Sequence, residues 1–181
     1  MNSSTESPQR DGRVVIIGGV SGSGKSTAGK VLAERLGWLF IEGDAFHTEA
    51  NVEKMRRGEP LDDDDRRPWL NSLRNEITHY LDKGVSVVLA CSSLKARYRD
   101  MLRSAAENVS FVFLIGDREN LHRRLVSRQD HFMGVELLAS QLAALELTDD
   151  ILLINSEQAV ETIVDSITDW LTLLENEHDE T

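Results

Sequence analysis

Residues Gly19-Val-Ser-Gly-Ser-Gly24-Lys25-Ser26 match the pattern GxxxxGK[ST] at every fixed position. The octapeptide follows a short apolar run, Val14 to Ile17, and opens a stretch of helical character, Lys25 to Leu36. In that strand–loop–helix setting the glycines let backbone N–H groups turn inward around phosphate oxygens, and the helix adds its positive end. Lys25 is placed to reach the β- and γ-phosphates of ATP, and the Ser26 hydroxyl to ligate the Mg2+ that bridges them; Gly22, Ser23, Gly24 and Thr27 complete the nucleotide-binding set. A glycine-rich turn that only caps a helix is the alternative, and it has no need of all four fixed positions.

Such a loop belongs at the carboxyl end of a parallel strand, and the rest of the chain agrees. Leu39 to Ile41, Val85 to Ala90, Phe111 to Ile115 and Ile151 to Ile154 are apolar runs typical of strands buried on both faces. Between them lie helical stretches at Pro68 to Lys83, Leu94 to Ala106, Arg118 to Arg128 and Val135 to Leu145, with Val160 to Leu174 closing the chain. The alternation, with the phosphate loop, predicts an α/β protein with a three-layer P-loop NTPase fold, a five-stranded parallel sheet flanked by helices. Ligands in such sheets bind beyond the carboxyl ends of the strands.

A length of 181 residues, with 40% hydrophobic and 28% charged residues, suits one globular domain. The expected divisions are a disordered tail over 1–12, a single P-loop domain over 13–174, and an acidic tail over 175–181. No apolar run approaches the roughly 20 residues that span a bilayer, and Met1 to Arg13 does not resemble a secretory signal. The expected compartment is the cytoplasm. Twenty basic residues against 31 acidic ones give a formal charge of −11, which repels nucleic acid and makes local clusters of Lys and Arg informative. The single cysteine, Cys91, offers neither a disulfide nor a zinc framework.

After the second strand comes Glu42-Gly43-Asp44-Ala45-Phe46-His47, which puts a carboxylate and an imidazole where an acceptor would sit. Asp44 can take the proton of an attacking hydroxyl or hold it in line; capping the next helix is the equal alternative. Four acids, Asp62 to Asp65, then precede Arg66, Arg67 and Pro68. Asp62 and Asp63 read as a solvated loop favouring the start of a helix entered at Pro68. The Arg66 guanidinium suits a bidentate clamp on a substrate carboxylate, with an ion pair to a neighbouring Asp as the alternative.

At this point the chain resembles the bacterial-type gluconate kinases. Their pattern combines the phosphate loop with GDxxH, NxxKMxxGxPLxDxDRxPWL, CSxLKxxYRDxLR and RLxxRxxHF. Here it is met by Gly43-Asp44-Ala-Phe-His47, Asn51-Val-Glu-Lys54-Met55 through Leu70, Cys91-Ser-Ser-Leu94-Lys95 through Arg103, and Arg124-Leu-Val-Ser-Arg128-Gln-Asp-His131-Phe132. The resemblance runs from about Val14 to Leu174. It implies transfer of phosphate from MgATP to the terminal hydroxyl of D-gluconate. It also implies that Asp44 orients that hydroxyl, with His47, Lys54, Arg66, Ser92, Lys95, Arg99 and His131 on the substrate side. Lys95 and Arg99 lie four apart, and a solvated helix face is their alternative role. Leu121 to Gln141 resembles a kinase lid. Arg124 and Arg128, one turn apart, would bring two guanidiniums over the triphosphate, and Arg128 would neutralise the transferring group. By analogy, Asn155 to Gln158 passes over adenine. Homodimers are common in that family.

The chain departs from the pattern at Leu147, where proline is expected after Leu-Glu, and at Thr48, where proline usually follows His47. Two rivals are a shikimate-type kinase, against which GDxxH and NxxKM argue, and a nucleotide-binding regulatory protein without turnover. Trp38, Trp69 and Trp170 read as packing residues.

Overall fold

The computed structural model describes residues 12–106, 108–127 and 135–179. Its strands are β1 (Val14–Gly18), β2 (Leu39–Glu42), β3 (Val87–Ala90), β4 (Val109–Ile115) and β5 (Leu152–Asn155). They form one sheet in the order β2-β3-β1-β4-β5, and every pairing is parallel. The helices are α1 (Lys25–Leu36), α2 (Glu49–Arg56), α3 (Asp63–Leu81), α4 (Ala96–Arg103), α5 (Arg118–Val126), α6 (Leu138–Ala144) and α7 (Val160–Asp179).

Alternate residues of the central strands point to opposite faces, and both faces are covered. Val14, Ile16, Leu89, Phe111 and Phe113 pack against Trp69, Leu73 and Ile77 of α3 and Leu102 of α4. Val15, Ile17, Val88, Val112 and Leu114 pack against Leu32 of α1 and Val164, Ile167 and Leu171 of α7. This is the expected three-layer arrangement. A third cluster, Val20, Leu94, Leu121, Leu125 and Leu138, lies under the phosphate loop and joins it to α5 and α6.

Several boundaries differ from expectation for identifiable reasons. The third helix starts at Asp63, not Pro68, because Asp62 and Asp65 form a capping box in which each side chain accepts the other's backbone N–H. Pro68 therefore lies inside the helix. The unexpected α2 is capped by Thr48, whose side chain accepts from the Asn51 N–H at 3.2 Å, so the residue replacing the family's proline initiates this helix. The fourth helix begins at Ala96, with Lys95 extended at φ −94° and ψ 145°. The closing helix continues to Asp179, so most of the stretch expected as an acidic tail is helical.

Candidate active site

The phosphate loop leaves β1 through Gly19 at φ +128°, where an added Cβ would lie 2.6 Å from the Leu114 carbonyl oxygen. Gly24, at φ +93°, is required by conformation alone: its missing Cβ would meet nothing within 4 Å. That open side belongs to a cavity of about 320 Å³ whose lining includes Gly22, Ser23, Gly24, Thr27, Arg124, Ser156 and Gln158. The hydroxyls of Ser23 and Ser156 are buried with no hydrogen-bond partner among the described residues. Lys25 donates to the Val20 carbonyl at 2.9 Å, so its ammonium lies back along the loop. Arg124 donates to the carbonyls of Ser156 at 2.8 Å and Gly22 at 3.5 Å, joining the wall of the cavity to the loop. The half-buried Ser26 lies in the first turn of α1 beside it. Among the described residues no group of three or more His, Cys, Asp or Glu is placed to hold a metal ion by itself. These residues fit an Mg2+ carried in by a nucleotide better than a resident metal ion.

A second, narrower cleft adjoins the loop and is lined by Asp44, His47, Arg66 and Ser92 together with Met55, Leu61, Leu137 and Gln141. Asp44 sits in a 3-10 turn, Gly43–Phe46, and its carbonyl accepts the His47 N–H. The turn is fixed from below: Trp69 donates its indole N–H to the Gly43 carbonyl at 2.8 Å and stacks on the His47 ring at 4.2 Å and 15°. Burial drives the His47 imidazole down to about 4, the nearby Asp44 opposing this and Arg66 reinforcing it. Arg66 donates to the Leu61 carbonyl at 3.3 Å and lies over the Tyr98 ring. No carboxylate pairs with it among the described residues. The Ser92 carbonyl accepts the Gly19 N–H at 3.3 Å, which makes the two cavities neighbours. The enclosed space of about 20 Å³ holds roughly one water. The walls meet through a small apolar cluster, Met55, Leu61 and Leu137.

Three of the expected substrate cations are committed elsewhere. Lys54 pairs with Asp65 at 2.6 Å, and that hydrogen bond holds the Asp65 carboxyl below its ordinary range. Lys95 pairs with Asp63 at 3.1 Å, and Asp63 also receives Arg97 and the Tyr98 hydroxyl. Asp63 is thus a hub between α3 and α4 rather than a solvated loop acid. Arg99 is a correction: it is 1% exposed and donates to the Ser93 and Leu94 carbonyls and to Thr148 Oγ1. The four-residue spacing misled because Lys95 precedes the helix, so the two side chains do not share a helical face. Arg99 instead braces Ser93, held at φ +37° beside Ser92. Burial pushes the Cys91 thiol up to about 12, which suits a small packed side chain rather than a nucleophile. Arg128 and His131 lie outside the described residues.

Gln141 was not anticipated. It accepts the Ser21 N–H at 2.7 Å and donates to Ser21 Oγ at 3.2 Å. Its only signal in the sequence is a polar residue set between Leu138 and Leu142 in an apolar arm.

A family profile described as an AAA domain matches residues 14–148. A gluconokinase of Gluconobacter oxydans is 46% identical over 138 residues, covering 76% of this chain and 78% of that one. Among solved structures, a gluconokinase from Sinorhizobium meliloti superposes with a TM-score of 0.80 at 40% identity, covering 95% of this chain and 98% of that one. An unliganded sugar kinase from Janibacter gives a TM-score of 0.85 at 41% identity, covering 89% and 95%.

Proposed function

The chain belongs to the gluconokinase family of P-loop kinases, and we propose that it transfers the γ-phosphoryl group of MgATP to the terminal hydroxyl of D-gluconate, giving 6-phosphogluconate and ADP. The observation that carries the reading is the juxtaposition of Asp44 and Arg66 in one cleft whose Ser92 wall is hydrogen-bonded to the phosphate loop at Gly19. Arg66, with no carboxylate partner among the described residues, is the cation available to clamp the sugar-acid carboxylate. Asp44 takes the proton of the attacking hydroxyl and holds its oxygen toward the phosphate loop. The neutral ring of His47 can hydrogen-bond a sugar hydroxyl without adding charge.

Lys25 and Ser26 hold the phosphates and their Mg2+, which neutralises the charge of the transferring group when bound. Arg124 forms the nucleotide wall, and Arg128 is assigned to the transferred phosphoryl group. Lys54 and Lys95 act through Asp65 and Asp63 unless substrate draws them off. The proposed setting is the cytoplasm, where ATP is at hand.

The test is ADP release from MgATP with D-gluconate, shikimate and other sugar acids, with Lys25→Ala as the blank. Selective release with gluconate is expected, and Asp44→Asn should lower turnover about 10²- to 10⁴-fold while folding is retained. Full activity in Asp44→Asn would remove Asp44 from its role, and silence with every acceptor despite ATP binding would remove the kinase assignment.

A further inference from the structure

Gln141 is 7% exposed, in a short helix that packs Leu138 and Leu142 into an apolar cluster. An apolar residue would pack there without needing partners, whereas a buried amide costs free energy unless its polar atoms are matched. Both ends of this amide are matched by one residue 120 positions away: Oε1 accepts the Ser21 N–H at 2.7 Å and Nε2 donates to Ser21 Oγ at 3.2 Å. Ser21 is itself 4% exposed, so water does not compete for either bond.

The location gives these bonds a meaning beyond packing. Two residues before Ser21, Gly19 is tied to the acceptor wall at Ser92. Immediately after it, Gly22, Ser23 and Gly24 line the nucleotide cavity. Gln141 itself lines the acceptor cleft. One side chain therefore touches the loop where the two cavities meet, and it comes from α6, at the end of the segment that resembles a lid. We propose that Gln141 is a positioning residue for phosphoryl transfer: it fixes Ser21, and with it the acceptor end of the phosphate loop, relative to the acceptor wall.

This rests on the kinase reading above, and it assigns Gln141 a role in alignment rather than in binding either substrate. Misplacing reacting groups by about 1 Å can cost on the order of 10²-fold in rate. Removing the anchor should therefore lower kcat and spare nucleotide affinity.

The test compares wild type with Gln141→Met, close in size but unable to make either bond, and with Ser21→Ala, which loses the hydroxyl that Gln141 Nε2 donates to and keeps the backbone N–H. Gln141→Met should lower kcat with gluconate about tenfold or more, with the KM for ATP changed less than about threefold. In the double variant the losses should not add, since both substitutions break the same contact. By hydrogen exchange with MgADP bound, the Ser21 amide should exchange about tenfold faster or more in Gln141→Met than in wild type. Wild-type kcat in Gln141→Met, fully additive losses, or an unchanged Ser21 exchange rate would each overturn the proposal. If Gln141→Met does not fold, Ser21→Ala decides alone: a kcat fall of about threefold or more supports the anchor, and an unchanged kcat overturns it. A wild-type enzyme silent toward gluconate would overturn the kinase reading instead, and the exchange measurement would still decide the anchor.

Discussion

His47 shows how much one side chain's surroundings can change its chemistry. Stacked on Trp69 and largely withdrawn from water, its ring titrates at about 4 instead of the ordinary 6.5. As the pH falls from 6.5 towards 4, the unfolded chain takes up a proton that the folded ring refuses. The stability contributed by the neutral ring is thus complete above this window and lost progressively through it. Wild type should lose on the order of 2–3 kcal/mol more than His47→Gln over the same range, measured by denaturant titration at several pH values. At this scale the sequence was readable where a motif fixes a residue's place, as in the phosphate loop, which borders one cavity, and at Asp44, which lines the cleft beside it. It was unreadable where a partner far along the chain decides. Nothing near Arg99 announces Thr148, and nothing near Ser21 announces Gln141.

At the scale of elements, the strands were legible because each is a short apolar run, fully buried in β1 and β3 and largely so in β4, while β2 and β5 at the sheet's edges are less buried. Helix starts were less so, since they depend on caps. The helix α3 is set by the Asp62–Asp65 box, and through Asp63 and Asp65 it carries the partners of Lys95 and Lys54. Asp62→Ala removes an acceptor that takes the Asp65 N–H at 2.8 Å. It should cost about 1 kcal/mol, seen as a fall of about 2–4 °C in Tm for a domain of this size. The short α2 escaped notice because only Met55 and Asn51 of its eight residues are buried, too few to give a periodic apolar face. The segment after α6 is fixed by Glu146, whose carboxylate accepts the Ala96 N–H at 2.7 Å at the start of α4, so Leu147 occupies the proline position without that tie being lost.

Across the whole molecule, the sheet places β1 at its centre and the phosphate loop above it, so nucleotide binding is linked to the stability of the entire fold. MgADP at about 100 times its Kd should add about 2.7 kcal/mol and raise Tm by roughly 5–10 °C; a thermal shift assay should show most of this gone in Lys25→Ala. Three-layer architecture and strand count followed from the alternation of runs, but the order of strands did not, because neighbours in the sheet are far apart in the chain. That order also sets a timetable for the nascent protein. Val14 in β1 pairs with Val87 on one side and Val109 on the other. The phosphate loop is made before either strand that flanks β1, and that strand is paired on both sides only when the chain has grown to Ile115. At about 5–20 residues per second this is a wait of roughly 5–20 s, during which an apolar strand and its glycine loop depend on whatever shelters them at the ribosome.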